Sequence, residues 1–297
     1  MSEASLEGRP SRRRLVLVMS VGIASVSAAA VLIRSIPEVP VAVIAAVRVT
    51  VAAAVVGALG GGRIDFGPWR RGRREFVCCL LAGLFLAGHF LAWIGSLRLT
   101  SVASSVVLVA ASPLFVALGG WAWLGERPRP AMWAGLGLGV AGMLLIGWAD
   151  RADAGRPTLG GDALALLGAL MAAGYLLCGR VARRRYAILT HLFWVYGVAA
   201  VALLARLLAA PVSVGGWPGR TYAILLAVAV FPQLIGHSTF NWALRHLAAA
   251  RVALLALAEP IGASLLAWLF LGERPGAVQG AGCLILLAGV ALGCRDS

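Results

Sequence analysis

Leu124-Gly125-Glu126-Arg127-Pro128 and Leu271-Gly272-Glu273-Arg274-Pro275 are one pentapeptide written twice, 147 positions apart. At that offset the neighbours agree as well. Pro113 falls on Pro260, Trp121 on Trp268 and Gly135 on Gly282, while Ala141-Gly142 falls on Ala288-Gly289 and Leu97-Arg98 on Leu244-Arg245. Apolar composition alone does not put a charged motif in register with a proline and a tryptophan, so the chain is an internal duplication. The same shift carries the apolar run that starts at 15 onto one near 162. The halves read as 15–149 and 161–294, preceded by a basic tail at 1–14.

Composition says what the halves are made of. Of 297 residues, 61% are hydrophobic and only 13% charged, with a mean hydropathy of +0.90. A soluble chain is typically about 45–50% apolar and about 25% charged, so there is too little polar surface to cover water-facing domains. Apolar runs recur at roughly 15–33, 38–60, 76–97, 102–124, 130–149, 161–180, 187–209, 220–243, 252–271 and 277–294. Each is long enough to cross a hydrocarbon core of about 30 Å. The expected fold is all-α and membrane-integral, with ten transmembrane helices and only short loops.

The 26 basic residues are all arginine, and the net charge is +14. In a soluble protein that charge would suggest nucleic acid. Here the arginines cluster between apolar runs, at Arg12 to Arg14, at Arg70, Arg71, Arg73 and Arg74, and at Arg183 to Arg185. That is the pattern of the positive-inside rule, and no nucleic-acid partner is expected. With the N-terminus inside, 18 arginines fall on the inner side and 7 on the outer, leaving Arg48 within a span. Both termini are therefore expected inside. The first span has the basic flank of a signal peptide, but its removal would delete a helix that the repeat requires. Five spans per half is an odd number, so the two repeats are expected to be inverted relative to each other. Inverted repeats of this kind suit alternating access, with a substrate site near the midplane.

Several chemistries are set aside. The five cysteines (Cys78, Cys79, Cys178, Cys283 and Cys294) make no CxxC and read as small packing residues. The four histidines show no metal-ligand spacing, so neither metal nor cofactor is expected. Gly137 to Gly142 matches GxGxxG but lies inside an apolar span after no strand. Close helix packing through small residues explains it, with Gly289 and Gly293 as the counterpart. No GxxxxGK[ST] occurs, so any driving force is a substrate gradient, exchange or an ion gradient.

At the repeated motifs the sequence resembles the drug/metabolite transporter superfamily, in particular its EamA-like ten-helix family. The carrying segments are Ser112-Pro113-Leu114 through Leu124-Gly125-Glu126-Arg127, with Ala134-Gly135 and Ala141-Gly142. Their second copy is Glu259-Pro260 through Leu271-Gly272-Glu273-Arg274, with Gly280-Ala281-Gly282 and Ala288-Gly289. Pro40 with Arg48, and Gly161-Asp162, look like the family's second-span and sixth-span patterns. The first span lacks the Trp-Gly often found there. The resemblance implies a helical bundle around a central cavity that exports or exchanges small metabolites.

The candidate site residues are the polar groups inside apolar spans. Arg48 sits mid-span, where a charge costs roughly 2.5–3.5 kcal/mol on insertion scales; it reads as an anchor for a substrate carboxylate or phosphate, or as a structural charge. Glu259, beside Pro260, reads as a proton-coupling or amine-binding group, or as a hydrogen-bond acceptor for backbone freed by the proline. No sequence argument pairs it with Arg48. Gln233, His237 and Asn241 recur at four-residue spacing, which places them on one helix face, as does the set His89, Trp93 and Ser96. Both stripes line a cavity or bind neighbouring helices. Trp93, Trp242 and Tyr175, within or near these stripes, are candidates for stacking on a planar or amphipathic substrate. Pro113 and Pro260 are symmetric kinks, static or hinge-like. The Leu-Gly-Glu-Arg loops read as tight turns rather than gates.

The function expected is a secondary transporter in an inner membrane, and the resemblance implies export or exchange of amino acids or related metabolites. A nucleotide-sugar or phosphorylated-metabolite carrier would favour more arginines within spans than Arg48. A membrane-embedded enzyme would need a reactive cluster at one bilayer face; a helix scaffold would not need the repeat. Apolar spans read alike in an importer and an exporter, and nothing in the residues fixes an oligomeric state.

Overall fold

A computed structural model of the protein describes residues 10–70, 72–99, 105, 108–151, 159–209, 212–271 and 276–293. The second Gly272-Glu273-Arg274-Pro275, the tail at 1–9, Arg71, Cys294 and parts of the fourth span lie outside the described residues. Helices α1 (Arg12–Arg34), α2 (Val41–Gly60), α3 (Arg73–Leu99), α4 (Ser112–Leu124) and α5 (Pro130–Arg151) come from the first half. From the second half come α6 (Leu159–Arg183), α7 (Ile188–Leu208), α8 (Gly219–Ala243), α9 (Ala249–Ala256), α10 (Glu259–Leu271) and α11 (Ala277–Gly293). Among the described residues no strand occurs, and α1, α2, α3, α6, α7 and α8 are long and apolar enough to cross a membrane.

Proline and glycine set the boundaries. The Ser11 hydroxyl caps α1 by accepting from the Arg14 amide at 3.2 Å. Pro130 opens α5, where its missing N–H costs no hydrogen bond. The first Leu-Gly-Glu-Arg copy is a helix stop. Gly125 is left-handed at φ +67°, and the Glu126 amide reaches back to the Gly120 carbonyl at 3.0 Å, so the left-handed glycine folds the chain back onto the end of the helix.

Two spans differ from expectation. The ninth was expected to run unbroken through 252–271, but it is two helices, α9 and α10, separated by a turn at 257–258. Likewise the fourth has a turn at 110–111 before α4 begins. Pro113 and Pro260 therefore do not bend continuous helices. Each is the second residue of a new one, where no intrahelical partner for its N–H exists. The strongest irregularity lies elsewhere. Ala229–His237 within α8 is π-helical, with Pro232 inside it. A proline ring clashes with the carbonyl four residues back, and the wider π turn relieves that clash.

The chain forms two compact units, one of Met1–Ala87 with Gly174–Leu247, the other of Gly88–Ala173 with Ala248–Ser297. Each draws helices from both sequence halves. In the first unit α2 packs on α7 and α1 on α8. In the second, α5 packs along α11 and α4 on α9.

The α5–α11 crossing has exchanged contacts. A Cβ on Gly135 would lie 2.6 Å from the Gly289 carbonyl oxygen, and one on Gly142 would lie 2.6 Å from that of Gly282. Under the offset of 147, Gly135 becomes Gly282 and Gly142 becomes Gly289. Each contact is thus the other's image, and the two helices run antiparallel. The same relation holds to within a residue elsewhere. Gly22 meets Thr239 in the first unit, and Gly168 meets Trp93 in the second. Gly139, Gly142, Gly289 and Gly293 are helix-packing residues, as read from the sequence; Gly135 joins them unforeseen, and Gly137 does not, since nothing lies within 4 Å of a Cβ there.

Candidate functional site

The polar residues predicted from the sequence separate by unit. Arg48, Tyr175, Gln233, His237 and Asn241 belong to the first; His89, Trp93, Pro113, Glu259 and Pro260 belong to the second.

In the first unit Arg48 lies in the middle of α2 and is buried. Its Nε donates to Gln233 Oε1 at 3.0 Å, which fixes the amide's orientation. Gln233 is fully buried in the π-helical stretch, and its Nε2 has no hydrogen-bond partner among the described residues. Tyr196 of α7 joins this pair. Its hydroxyl lies 3.0 Å from Ser238 Oγ and donates a long bond, 3.4 Å, to the Gln233 carbonyl. An Arg in a span needs partners because lipid offers none.

One α-turn pair further on, Asn241 is the hub of a second cluster. Its Nδ2 donates to the Tyr175 hydroxyl and, at 2.8 Å, to the His237 carbonyl. That leaves Oδ1 facing His191 Nε2 at 2.9 Å, so Nε2 carries the imidazole proton. A neutral His191 then presents Nδ1 as an acceptor, 3.6 Å from the Cys79 thiol. Cys79, His191 and Asn241 have the residue order of a cysteine hydrolase site. Their polar groups are spent on one another and on neighbouring groups, however, and the chain of bonds ties α3, α7 and α8 together rather than meeting a substrate. His237 is half-buried, with its ring 6.0 Å from that of Tyr175 and 6.2 Å from that of Phe240.

Arg183 is a residue that the sequence reading placed in a loop cluster. It is fully buried, and its Nε donates to the Asn241 carbonyl at 3.1 Å. Arg180 donates to the Leu244 carbonyl at 2.6 Å. The end of a helix leaves carbonyls without intrahelical partners and carries partial negative charge. Two guanidinium groups from α6 satisfy those carbonyls at the end of α8.

In the second unit His89 Nδ1 donates to the Gly168 carbonyl at 2.9 Å. Its ring stacks on Trp93, with centroids 6.0 Å apart and planes 4° from parallel. Ser96 donates to the Trp93 carbonyl at 2.7 Å and lies 2.6 Å from Ser105 Oγ. The predicted stripe is thus one face, and it is spent on helix contacts. Glu259 is half-buried at the first turn of α10, where the helix dipole favours a negative charge.

Tyr196, His191, Cys79 and Arg183 were missed. Tyr196 follows Val195, the repeat mate of Arg48, and that adjacency was the available signal. Pro232 inside an otherwise regular span was the signal for the π segment.

The EamA-like transporter family model matches this chain twice, over residues 13–148 and 159–293. The chain belongs to the EamA-like transporter family. It is a multi-pass membrane protein. An 85-residue stretch is 35% identical to a riboflavin transporter of Rhizobium johnstonii, covering 28% of this chain and 26% of that one. The match thus spans about a quarter of that relative's length. A solved crystal structure shares the fold at a TM-score of 0.78 and 24% identity, covering 96% of this chain and 97% of its own.

Proposed function

We propose that the protein is a secondary transporter of small metabolites working by alternating access, through export or exchange, in an inner membrane. In this reading ten spans form two inverted five-helix repeats with both termini inside. The single observation that carries it is the Arg48–Gln233 pair. A buried guanidinium held by an amide whose own Nε2 donor has no partner among the described residues suits an anionic or carbonyl-bearing solute. The π-helical turn around Pro232 puts Gln233 on a backbone segment of the kind often found at functional sites.

Two further facts support the topology. The exchanged α5–α11 contacts are those of antiparallel, repeat-related helices. Arginines also crowd one end of the first unit. Arg12 to Arg14, Arg63, Arg70, Arg73, Arg74, Arg180, Arg183 to Arg185 and Arg245 lie at that end, against Arg34, Arg206 and Arg220 at the other.

Amino acids and related compounds are the first substrate class. The rings of Tyr175, His237 and Phe240, together with the name of the Rhizobium relative, favour a flat heteroaromatic as a second. The test is uptake and counterflow in proteoliposomes, with radiolabelled amino acids and riboflavin as the panel and an imposed pH gradient as one arm. Saturable flux that disappears in Arg48→Ala while the protein stays folded supports the site. Flux that responds to the gradient in wild type but not in Glu259→Gln supports proton coupling at that carboxyl. Flux unchanged in both variants removes the site assignment and leaves the transporter reading.

A further inference from the structure

The arginines at the crowded end of the first unit are more ordered than a charge bias requires. Two segments far apart in sequence meet there. One is the link from α2 to α3, residues 61–72; the other joins α6 to α7 at 184–187. The Tyr186 hydroxyl reaches the Pro68 carbonyl at 3.0 Å and the Gly72 carbonyl at 3.1 Å. Thr190 Oγ1 accepts from the Asp65 amide at 3.0 Å, and Trp194 Nε1 donates to the Asp65 carbonyl at 3.1 Å. Burial first, then the nearby Cys79, Glu75 and Asp65, raises the Tyr186 phenol above its ordinary value. It is therefore a neutral donor throughout the physiological range.

On this tied frame Arg63, Arg70, Arg73, Arg74, Arg184 and Arg185 are exposed. The Arg185 guanidinium lies across from Gly72, its Nη1 2.8 Å from where a Cβ there would sit. Two carboxylates share the region. Asp65 turns inward, its Oδ1 accepting from the Gly67 amide at 2.9 Å. Glu75 is half-buried beside Gly72. Between the arginines stand Phe66 and Trp69, 59% and 48% exposed. These residues follow directly on apolar spans, at the depth where bilayer headgroups lie and where aromatic side chains partition. A topology signal needs positive charge in a loop. It does not need two loops bonded into one frame, or large aromatics exposed among the charges.

We propose that this frame is a binding site for anionic phospholipid headgroups, with guanidinium groups of both loops forking onto phosphodiester oxygens and Trp69 and Phe66 set into the acyl boundary. The opposite end of the unit, with three exposed arginines and Glu38 hydrogen-bonded to Thr221 at 2.7 Å, is the internal control.

The experiment purifies the full-length protein, exchanges it into nanodiscs of phosphatidylcholine with or without phosphatidylglycerol, and counts retained lipid by native mass spectrometry. Wild type is expected to retain phosphatidylglycerol over phosphatidylcholine. The triple variant Arg70→Gln, Arg73→Gln, Arg185→Gln is expected to lose about a hundredfold in that preference, at about fivefold per arginine. The triple variant Arg34→Gln, Arg206→Gln, Arg220→Gln should keep it. Tyr186→Phe, which removes no charge, should lower it by loosening the frame. Equal retention of the two lipids, or equal loss in the two triple variants, would overturn the proposal, and so would an unchanged Tyr186→Phe. Displacement of the lipid by millimolar inorganic phosphate would make the site one for soluble anions and also overturn it. If a variant fails to fold, the wild-type lipid comparison still decides. Transport is not read in any arm, so the result is independent of the substrate site.

Discussion

The two units solve the same problem with different emphasis. In the first, polar side chains hold helices together, as Arg48 does with Gln233, Asn241 with His191 and Tyr175, and Arg183 with the end of α8. In the second, α5 and α11 touch main chain to main chain through Gly135, Gly142 and Gly289. Lipid tails are as apolar as the helix surfaces, so burial alone does not bind helices to each other. Close approach and hydrogen bonds are what remain, and both units use both, since Gly83 of the first closes on the Val195 carbonyl and His89 of the second bonds the Gly168 carbonyl. The polar network of the first and the α5–α11 crossing of the second are the clearest case of each. The magnitudes differ. An interhelical hydrogen bond in a membrane averages about 0.6 kcal/mol, whereas overpacking a closed contact costs about 1–3 kcal/mol or more. The glycine contact should therefore be the less tolerant of the two.

The sharpest way to break the comparison is Gly289→Leu. Its side chain would have to displace the Gly135 carbonyl and the Gly139 amide, 2.6 and 2.7 Å from the Cβ position. We expect no monodisperse protein in fluorescence-detected size exclusion, and a normal elution profile would refute the steric argument. Next comes Asn241→Leu in the first unit. It removes the amide's contacts with His191, Tyr175 and the His237 carbonyl, so it should fold but lose about 2 kcal/mol. A melting temperature equal to wild type would mean that the network contributes nothing. Cys79→Ala should be milder, since a thiol bond at 3.6 Å is weak. In the folded protein Cys79 should resist a maleimide that labels it after denaturation, and rapid native labelling would contradict its burial. Smallest of all is Gly137→Ala. Nothing lies within 4 Å of a Cβ there, so helix propensity should make the change neutral or stabilising, and a loss of stability beyond about 0.5 kcal/mol would count against the assignment of faces on α5.

The duplication, the apolar spans and the glycine face were legible because each is a pattern along the chain. Arg48, Gln233 and Asn241 stood out because polar residues in apolar runs are expensive. Their partners did not stand out. Tyr196 and Cys79 look like ordinary span residues, and His191 was read as dispersed, because a hydrogen bond between helices carries no sequence spacing. Arg183 hid inside a loop cluster whose charge already had an explanation. The turns before Pro113 and Pro260 were half legible. Proline marked the place, but whether a helix bends or restarts depends on packing that the sequence does not display.

The exchanged contacts at Gly135–Gly289 and Gly142–Gly282 bear on how the gene can change. A lost side-chain tie can be repaired by a second substitution that supplies another donor or acceptor. A collision with a carbonyl oxygen has no such suppressor, since the obstructing atom is common to all twenty residues. Random mutagenesis with selection for folded protein should therefore return compensated pairs in the first unit and only true revertants at Gly135 and Gly289. Because the Gly135–Gly289 contact has its counterpart in Gly142–Gly282, the two ancestral copies lose there the freedom to diverge that duplication otherwise confers.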